Sequence, residues 1–272
     1  MRLHSIGWRI ALGVIGFAAP AALADIPYFN GFETPGSVND FYGTSGVAGS
    51  NITQVASGGG TLGYTAAAGN DYAEIRNTDN FSGGLGYSGY TSFGMPVTTP
   101  TQGFAESVDI YLDTARWQPI LSPGSDFVIS TQAEDTSPGV TGEFMNIIFT
   151  VTTAGTINVS SVASSNLATI TKSGWYQFVI SFVPGASGDV ENDVSVLDSL
   201  GNVVGTTHYV SPTPMPSSAL GGNGYMIFGP WRDGFAGDVL GIDNLQTFAA
   251  PEPMLVGALP LGLALLRRRS RR

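Results

Sequence analysis

The segment FAESVDIYLDTARW (104–117) groups carboxylates with aromatic rings in a pattern suited to sugar recognition. Its apolar residues fall at alternate positions, which predicts a strand with one face in a hydrophobic core. Asp109, Tyr111 and Asp113 would then share the opposite face, with Trp117 just beyond it. Carboxylates bond sugar hydroxyls, and aromatic rings pack against sugar C–H groups. The pattern therefore predicts a ligand-binding set, with a second, loop-borne set of Trp231 and Asp233.

Two alternatives for this segment stay open. In the first, Tyr111 and Trp117 pack against the second sheet of a β-sandwich and contact no ligand. In the second, paired carboxylates make the protein a carbohydrate-active enzyme. Glu106 falls on the apolar face of the predicted strand, which indicates an edge strand or a shifted register. The carboxylates to test first for catalysis are Asp109, Asp113, Glu143 and Asp233.

Nucleophile motifs are scarce in this sequence. The chain has no cysteine, and His208 is the one histidine beyond residue 24. The surrounding GTTHYVSPTP carries no nucleophile signature. Glu191 and Asp193 begin the Glu-x-Asp-x-x-Glu pattern of laminarinase-type concanavalin A-like glycosidases, but position 196 is valine. The sequence therefore favours a non-enzymatic protein over an enzyme.

Positive charge is confined to the two ends of the chain. Of the 11 Lys and Arg residues, four lie between residues 25 and 250, together with 20 of the 21 Asp and Glu residues. The formal charge of this middle region is 4 − 20 = −16. Nucleic-acid phosphates would find few cations on such a domain, so no nucleic-acid partner is expected.

Short runs rich in Val, Ile, Thr, Phe and Tyr recur through residues 25–250, separated by Gly, Pro, Ser and Asn. Helical periodicity is not sustained over three turns anywhere in this region. The runs predict an all-β domain, an antiparallel jelly-roll β-sandwich, with a hairpin turn at 198–202 before VVGTTHYV. The predicted strands are FAESVDIYLD (104–113), DFVIST (126–131), FMNIIFTVTT (144–153), GTINVSS (155–161), GWYQFVISFV (174–183), DVSVLD (193–198), YMIFG (225–229) and VLGIDNLQTF (239–248).

The first 24 residues have the pattern of a secretory signal peptide. Arg2 and Arg9 precede an apolar run of small residues, and Ala22-Leu23-Ala24 fits the small-x-small cleavage pattern. Cleavage between Ala24 and Asp25 is therefore expected, and the signal helix is removed from the domain at 25–250. The alternative is a permanent N-terminal anchor, for which the apolar run is short and contains Pro20.

Residues 251–272 join Pro251-Glu252-Pro253, an apolar segment (254–266) and five terminal arginines. As a helix the apolar segment would be about 20 Å long, against about 30 Å of hydrocarbon. The three features in this order resemble the PEP-CTERM sorting signal of Gram-negative, exopolysaccharide-producing bacteria. The resemblance implies transient inner-membrane association through 254–266, recognition of the Pro-Glu-Pro motif by a membrane-embedded exosortase, and cleavage near that motif. A simple C-terminal anchor is the alternative.

The two ends of the predicted domain resemble the first and last strands of jelly-roll carbohydrate-binding modules and concanavalin A-like (laminin G-like) domains. The matching segments are FNGFETPG (29–36) and LGIDNLQTF (240–248). The resemblance implies that these strands are neighbours. In several such modules the early glutamate and the late aspartate help to hold a structural calcium ion, which implies Glu33 and Asp243 as ligands. The alternative is that both are ordinary acids at strand ends.

Taken together, the sequence predicts an exported protein sorted to the cell surface or extracellular matrix of a Gram-negative bacterium. The expected partners are the secretion machinery, exosortase and an exopolysaccharide. The leading function is a non-enzymatic structural or polysaccharide-associating module. The alternatives are a carbohydrate-active enzyme and a protein-binding adhesin.

Overall fold

The computed structural model describes residues 28–43, 52–76, 91–93, 97–98, 102–120, 126–134, 141–210, 223–230 and 239–249, and the structural statements below concern these residues. The predicted signal peptide and its cleavage site at Ala24 and Asp25 lie outside them, as does the tail 251–272 with Pro251, Glu252 and Pro253. In the described part of the chain no helix is both long and apolar enough to cross a membrane.

The described residues form antiparallel strands and two short helical segments. The helical segments are a 3-10 helix, Ser37–Asp40, and α1, Thr114–Ile120. The strands are β1 (Tyr28–Asn30), β2 (Phe41–Gly43), β3 (Ile52–Ala56), β4 (Asp71–Arg76), β5 (Thr91–Phe93), β6 (Val97–Thr98), β7 (Phe104–Leu112), β8 (Asp126–Glu134), β9 (Thr141–Val151), β10 (Ile157–Ser161), β11 (Ser164–Ile170), β12 (Gly174–Pro184), β13 (Val190–Leu197), β14 (Val203–Val210), β15 (Asn223–Pro230) and β16 (Val239–Ala249).

The strands form two sheets. Sheet 1 has the order β14-β13-β12-β7-β16-β4-β3, and β1 also pairs with β16. Sheet 2 has the order β11-β10-β9-β8-β15-β5-β2, and β6 also pairs with β15. The chain passes repeatedly from one sheet to the other, as in jelly rolls. The predicted all-β antiparallel sandwich is therefore confirmed.

Alternate side chains of the central strands fill the space between the sheets. On β12, Phe178, Ile180 and Phe182 are fully buried on the face that the sequence alternation predicts. The ring of Phe178 meets that of Phe149 from sheet 2 edge to face, with centroids 5.1 Å apart. Burying each large apolar side chain contributes about 1.5–3 kcal/mol, so this layer holds the two sheets together.

Strand β7 lies in the middle of sheet 1, between β12 and β16. The edge-strand interpretation of Glu106 is therefore wrong, and so is the suggestion of a shifted register. Glu106 is 1% exposed and points between the sheets, where the hydroxyl of Thr131 donates a hydrogen bond to its carboxylate. The alternation of apolar residues along this strand was predicted correctly, and a carboxyl group occupies one of the core positions.

The early and late segments of the domain are neighbours, as the resemblance to carbohydrate-binding modules implies. β1 pairs with β16, with Asn30 opposite Leu245. The predicted hairpin also forms, because the N–H of Asp198 donates to the carbonyl of Asn202 at 2.9 Å. Gly201 has φ of 84° in this turn, a conformation that favours glycine. The described strands coincide with all eight predicted runs, with ends that differ by a few residues.

Candidate functional site

Residues 57–70, which connect β3 to β4, lie over the outer face of sheet 1, the face turned away from sheet 2. We call this segment the covering loop. The indole N–H of Trp175, on β12, donates to the carbonyl of Thr65 at 2.6 Å. The ring of Tyr64 stacks on that of Tyr111, on β7, with centroids 3.7 Å apart. Ala67 packs with Tyr72 and Trp175 in a small apolar cluster. The loop therefore covers Trp175 and part of Tyr111 on this face.

The aromatic rings beneath and within the covering loop form one connected cluster. Trp175 meets Tyr111 edge to face at 5.3 Å and Tyr72 at 6.0 Å, measured between ring centroids. The hydroxyl of Tyr64 donates to Oδ2 of Asp113 at 2.6 Å. Burial first, and then this hydrogen bond, raise the pKa of Tyr64 well above its usual value. The phenol therefore stays a neutral donor and links the loop to the end of β7.

Three carboxylates hold the covering loop by accepting hydrogen bonds from backbone N–H groups. Glu74 lies under the start of the loop, whereas Glu33 and Asp243 lie under its end. Hydrogen bonds to a charged acceptor are roughly twice as strong as neutral ones, so these carboxylates act as anchors of the backbone. The bonds are Thr61 N to Glu74 Oε2 (2.9 Å), Leu62 N to Glu74 Oε1 (2.7 Å), Ala68 N to Asp243 Oδ2 (3.1 Å), and Asn70 N and Asp71 N to Glu33 Oε1 (2.9 and 3.1 Å).

The structure brings Asp109, Tyr111 and Asp113 to one face of β7, as predicted, but places that face under the covering loop. Asp109 is fully buried, and its Oδ2 accepts from Nδ2 of Asn244 at 2.8 Å. Asp113 accepts from the backbone N–H groups of the first turn of α1 and from Tyr64. In this structure Asp109 does not reach solvent, and Tyr111 is partly covered by the stacked ring of Tyr64.

The remaining predicted residues lie elsewhere. Trp117, on α1, is 1% exposed and belongs to the core between the sheets, so it is not available to a ligand in solvent. This matches, for Trp117, the alternative in which both rings pack against the second sheet, whereas Tyr111 lies under the covering loop on the outer face. Glu143 lies on β9, and its side chain is outside the described part of the structure. Trp231 and Asp233 also lie outside the described residues.

Asp109 and Asp243 are directly opposite each other on β7 and β16, and both are fully buried. The pKa of Asp243 rises to about 8, chiefly because burial disfavours its charged form, with a further contribution from the charge of Asp109. The N–H groups of Ala68 and Asn244 act in the opposite direction by bonding the carboxylate. Two like charges so close together are costly, and binding either a proton or a cation would relieve the repulsion.

The predicted calcium ligands converge on the same stretch of backbone. Glu33 bonds the N–H groups of Asn70 and Asp71, and Asp243 bonds that of Ala68. Carboxylate and carbonyl oxygens are the ligands that calcium prefers, so the donor types fit this ion. Among the described residues, no three His, Asp or Glu side chains form a group that could hold a metal. Backbone carbonyls of the covering loop would therefore have to complete the coordination.

A second cluster combines Glu191, Asp193 and His208 on β13 and β14, three residues that the sequence patterns did not bring together. Nδ1 of His208 lies 2.9 Å from Oδ1 of Asp193, and its Nε2 lies 3.6 Å from Oε2 of Glu191. The histidine side chain is 53% exposed and each carboxylate 23%. We call these three residues the His208 cluster. A solvent-facing imidazole beside two carboxylates can hydrogen-bond sugar hydroxyls or transfer protons.

The register of the hairpin explains why this cluster was missed. A regular hairpin across the 198–202 turn pairs residues whose numbers sum to 400, as Leu197 does with Val203. Val204 is an extra residue on β14 opposite Val196 and Leu197, and this bulge shifts the pairing by one residue, which places His208 opposite Asp193. A one-residue shift exchanges the faces of a strand, so without the bulge Thr207 would oppose Asp193. The hairpin could be predicted, whereas the one sequence signal for the bulge is Gly205, because a glycine inside a strand often marks a bulge or a close backbone approach.

Neither a protein-family model nor a curated protein matches this sequence. Among solved structures it is similar to an endo-1,3-beta-glucanase from Streptomyces sioyaensis, with 13% identity, coverage of 86% of this chain and 99% of that chain, and a TM-score of 0.44. An endo-beta-1,4-glucuronan lyase from the fungus Trichoderma reesei has 12% identity, 83% and 92% coverage, and a TM-score of 0.44. An alginate lyase from Aplysia kurodai has 8% identity, 77% and 89% coverage, and a TM-score of 0.38. At this level of similarity these neighbours assign neither an activity nor a site to this chain.

Proposed function

We propose that this protein is an exported β-sandwich of the cell surface or extracellular matrix that associates with polysaccharide without cleaving it. One observation carries the proposal. The segments that resemble carbohydrate-binding modules meet in space, and their acids, Glu33 and Asp243, hold the same end of the covering loop. In that arrangement the acids stabilise a loop, which is a structural role and not a catalytic one.

The roles of the other described acids under and beside the covering loop agree with this function. Glu74 anchors the start of the covering loop, and Asp113 bonds α1 and Tyr64. A glycosidase needs two carboxyl groups about 5–10 Å apart that reach the substrate. Asp109 and Asp243 are opposed closely enough to interact, but both are buried. The carboxylates under the loop are therefore better suited to building a rigid module than to hydrolysis.

The negative charge of the domain favours a neutral polysaccharide as ligand over an acidic one. Residues 25–250 carry a formal charge of −16, which repels acidic glycans through the summed field of the surface. A neutral polysaccharide avoids this repulsion, and an acidic one would need a bridging cation. The His208 cluster supplies exposed acceptors and a donor for sugar hydroxyls. We therefore assign the polysaccharide contact to the outer face around β13 and β14.

The proposed route to the surface rests on the two ends of the sequence. Cleavage after Ala24 would release the exported chain, and exosortase would recognise Pro251-Glu252-Pro253 while residues 254–266 associate with the inner membrane. Replacing these three residues by alanine should leave the protein in the membrane fraction, as judged by immunoblotting of cell fractions. Normal release of that variant would refute the sorting route and leave the polysaccharide proposal intact.

The polysaccharide proposal is tested by affinity electrophoresis of the exported protein in gels containing neutral or acidic glycans. Retardation by a glycan whose chain length does not change afterwards supports association without cleavage. The variant Asp193→Asn should reduce the retardation, because it weakens the acceptor beside His208. Thr169→Ala, an exposed change on the edge strand of sheet 2, serves as the matched control.

The second candidate function is a carbohydrate-active enzyme, and the His208 cluster is the observation that favours it. An imidazole 2.9 Å from one carboxylate and 3.6 Å from another is the kind of pair that can move a proton at a sugar carbon or oxygen. New reducing ends or unsaturated products, formed by the wild type and abolished by His208→Ala, would establish this function. Glycan of unchanged length would exclude it for the glycans tested.

A further inference from the structure

The outer face of sheet 1 carries a small apolar cluster beside the end of β16, which we call the outer patch. Its members are Ala105 on β7, Val179 on β12 and Leu197 on β13, with Phe248 of β16 packed against them. They alternate with side chains of the core between the sheets, so they face away from sheet 2. Ala105 is nevertheless fully buried, and Leu197 is 2% exposed. The covering loop packs on Tyr111 and Trp175, nearer the other end of these strands, so the outer patch calls for a second cover.

One row of side chains on the outer face joins the outer patch to the His208 cluster. In this row the opposed residues are, in order, Phe248, Ala105, Ser181, Asp193 and His208. The row crosses sheet 1 from β16 through β7, β12 and β13 to β14. With neighbouring strands about 4.8 Å apart, its length is about 19 Å. The face therefore changes along one line from apolar at β16 to acidic at β13.

The tail at 251–272 has the complementary properties in the same order. β16 ends at Ala249, so the chain leaves the sheet beside the outer patch. The apolar segment 254–266 comes first, and the five terminal arginines follow it. As a helix this segment would be about 20 Å long, which matches the length of the row. Laid across the strands, it would carry Arg267 from β16 to the carboxylates of the His208 cluster.

We propose that the tail docks on this face of its own domain, with the apolar segment over the outer patch and the arginines on Glu191 and Asp193. This interaction goes beyond the proposed function, and only its effect on glycan binding rests on that function. Each of the two carboxylates is 23% exposed and so can be reached by an arginine. A guanidinium donates two parallel hydrogen bonds to a carboxylate, which favours arginine at this position. The covalent link to β16 also keeps the tail at a high effective concentration near the face.

Docking would give the apolar segment a binding site in water, in competition with the inner membrane. The driving force is the removal of apolar surface of both the segment and the outer patch from water. The docked arginines would also occupy the carboxylates that the proposed function assigns to sugar hydroxyls. Cleavage of the tail near Pro251-Glu252-Pro253 would then uncover the polysaccharide-binding surface.

Cysteine cross-linking tests the docking in the full-length protein, because the natural chain contains no cysteine. Ser270→Cys places a thiol among the terminal arginines, and Thr206→Cys places one at an exposed position of β14, on the same face as His208. Together they should form a disulfide within one chain, seen as a faster band on non-reducing gels that dithiothreitol removes. Thr53→Cys with Ser270→Cys is the matched control. Thr53 is exposed on β3, which lies nearer to β16 in the sheet than β14 does, so an undocked tail would reach it at least as readily.

Charge reversal tests what the arginines bind. Glu191→Lys/Asp193→Lys should slow the cross-link between positions 206 and 270 about tenfold, because repulsion replaces two ion pairs. The milder Glu191→Gln/Asp193→Asn should slow it less but in the same direction. Changing the arginines at 267–269 to glutamate in the lysine variant should restore the rate. Equal rates at positions 206 and 53, cross-links formed between chains instead of within them, or a rate that ignores these charges would each overturn the proposal.

Affinity electrophoresis separates the failure of this inference from the failure of the proposed function. A neutral glycan should retard the exported form of the Thr206→Cys/Ser270→Cys variant, from which the tail has been cleaved. The full-length variant with its tail locked by the disulfide should not be retarded. Equal retardation of both forms would overturn the claim that the tail covers the glycan-binding surface. Rapid cross-linking at position 206 with retardation of neither form would support the docking and refute the proposed function.

Discussion

The carboxyl group of Glu106 should make the stability of this protein fall as pH rises. The group lies between the two sheets, 1% exposed, and receives a hydrogen bond from Thr131. Its Oε1 atom is buried without a hydrogen-bond partner among the described residues. Burial raises its pKa from 4.5 to about 8, against the smaller lowering effect of the Thr131 hydroxyl. Glu106 is therefore protonated in the native protein at neutral pH and ionised in the unfolded chain.

The sign and size of the effect follow from proton linkage. Between pH 4.5 and about pH 8 the native state binds a proton that the unfolded state has released, so stability decreases with rising pH. Each pKa unit corresponds to about 1.4 kcal/mol, so the cost reaches about 3 kcal/mol at neutral pH and about 5 kcal/mol above the folded pKa. Below pH 4.5 both states are protonated, and this cost disappears.

The test substitutes Glu106→Gln, which keeps the shape and hydrogen-bonding capacity of the side chain but removes its ionisation. Urea unfolding of both proteins from about pH 5 to about pH 9 gives the difference in their unfolding free energies. Replacing the carboxyl by an amide changes the unfolding free energy by an amount that does not depend on pH. In addition, the unfolding free energy of Glu106→Gln should rise relative to that of the wild type by about 1.4 kcal/mol per pH unit, up to the pH that equals the folded pKa of Glu106. Asp243 titrates in both proteins and cancels from this difference.

Thr131→Val is the control for this experiment, since it removes the hydroxyl but leaves the acid. Its pH profile should keep the slope of the wild type and extend it to higher pH, because the Thr131 hydroxyl lowers the pKa of Glu106 and its loss would raise that pKa further. A difference between wild type and Glu106→Gln that stays constant over the whole pH range would refute the reasoning. It would mean that Glu106 reaches water or a cation in the native protein.

Three further predictions concern the covering loop, the calcium hypothesis and the closed edge of the sandwich. Trp175→Phe removes the 2.6 Å hydrogen bond to the carbonyl of Thr65, so limited proteolysis should cut residues 57–70 faster than in the wild type. Unchanged cleavage would show that the loop is held without this bond. Calcium should raise the midpoint of thermal unfolding of the wild type but not of Glu33→Gln/Asp243→Asn, and equal shifts in both proteins would place any ion elsewhere. Gly205→Ala would place a methyl group against the carbonyl oxygen of Leu167 on β11, and should lower the free energy of unfolding in urea by about 1–3 kcal/mol. An unchanged free energy of unfolding would show that β14 and β11 can move apart to accept the methyl group.

The sequence predicted best those features for which a residue pattern fits a single local structure, such as a strand with one buried face. Alternating apolar residues on β7 and β12 predicted both the strands and their buried faces, because a strand repeats every two residues. The resemblance of FNGFETPG and LGIDNLQTF to the ends of known modules predicted the neighbouring positions of β1 and β16, which the structure confirms. These features depend on local pattern or on a recognisable pair of segments.

The candidate site was less predictable because it depends on how distant segments lie over one another. The pattern on β7 indicated a candidate ligand-binding face, with packing of its rings as an alternative, but the Gly- and Ala-rich residues 57–70 cover Tyr111 and Trp175. Nothing in the composition of such a loop fixes where it packs. Glu106 contradicted the rule that charged residues avoid cores, since a protonated acid can occupy an apolar site. The His208 cluster depends on a single bulge between β13 and β14.

Isothermal titration calorimetry of the exported protein with the exopolysaccharide of its producing bacterium, with and without a calcium chelator, tests the central claim most directly. The account predicts saturable binding with no shortening of the glycan, and weaker binding after chelation if Glu33 and Asp243 share a calcium ion. Saturable binding that chelation leaves unchanged would keep the polysaccharide function and remove calcium from it. No heat of binding in either condition would contradict the proposed function.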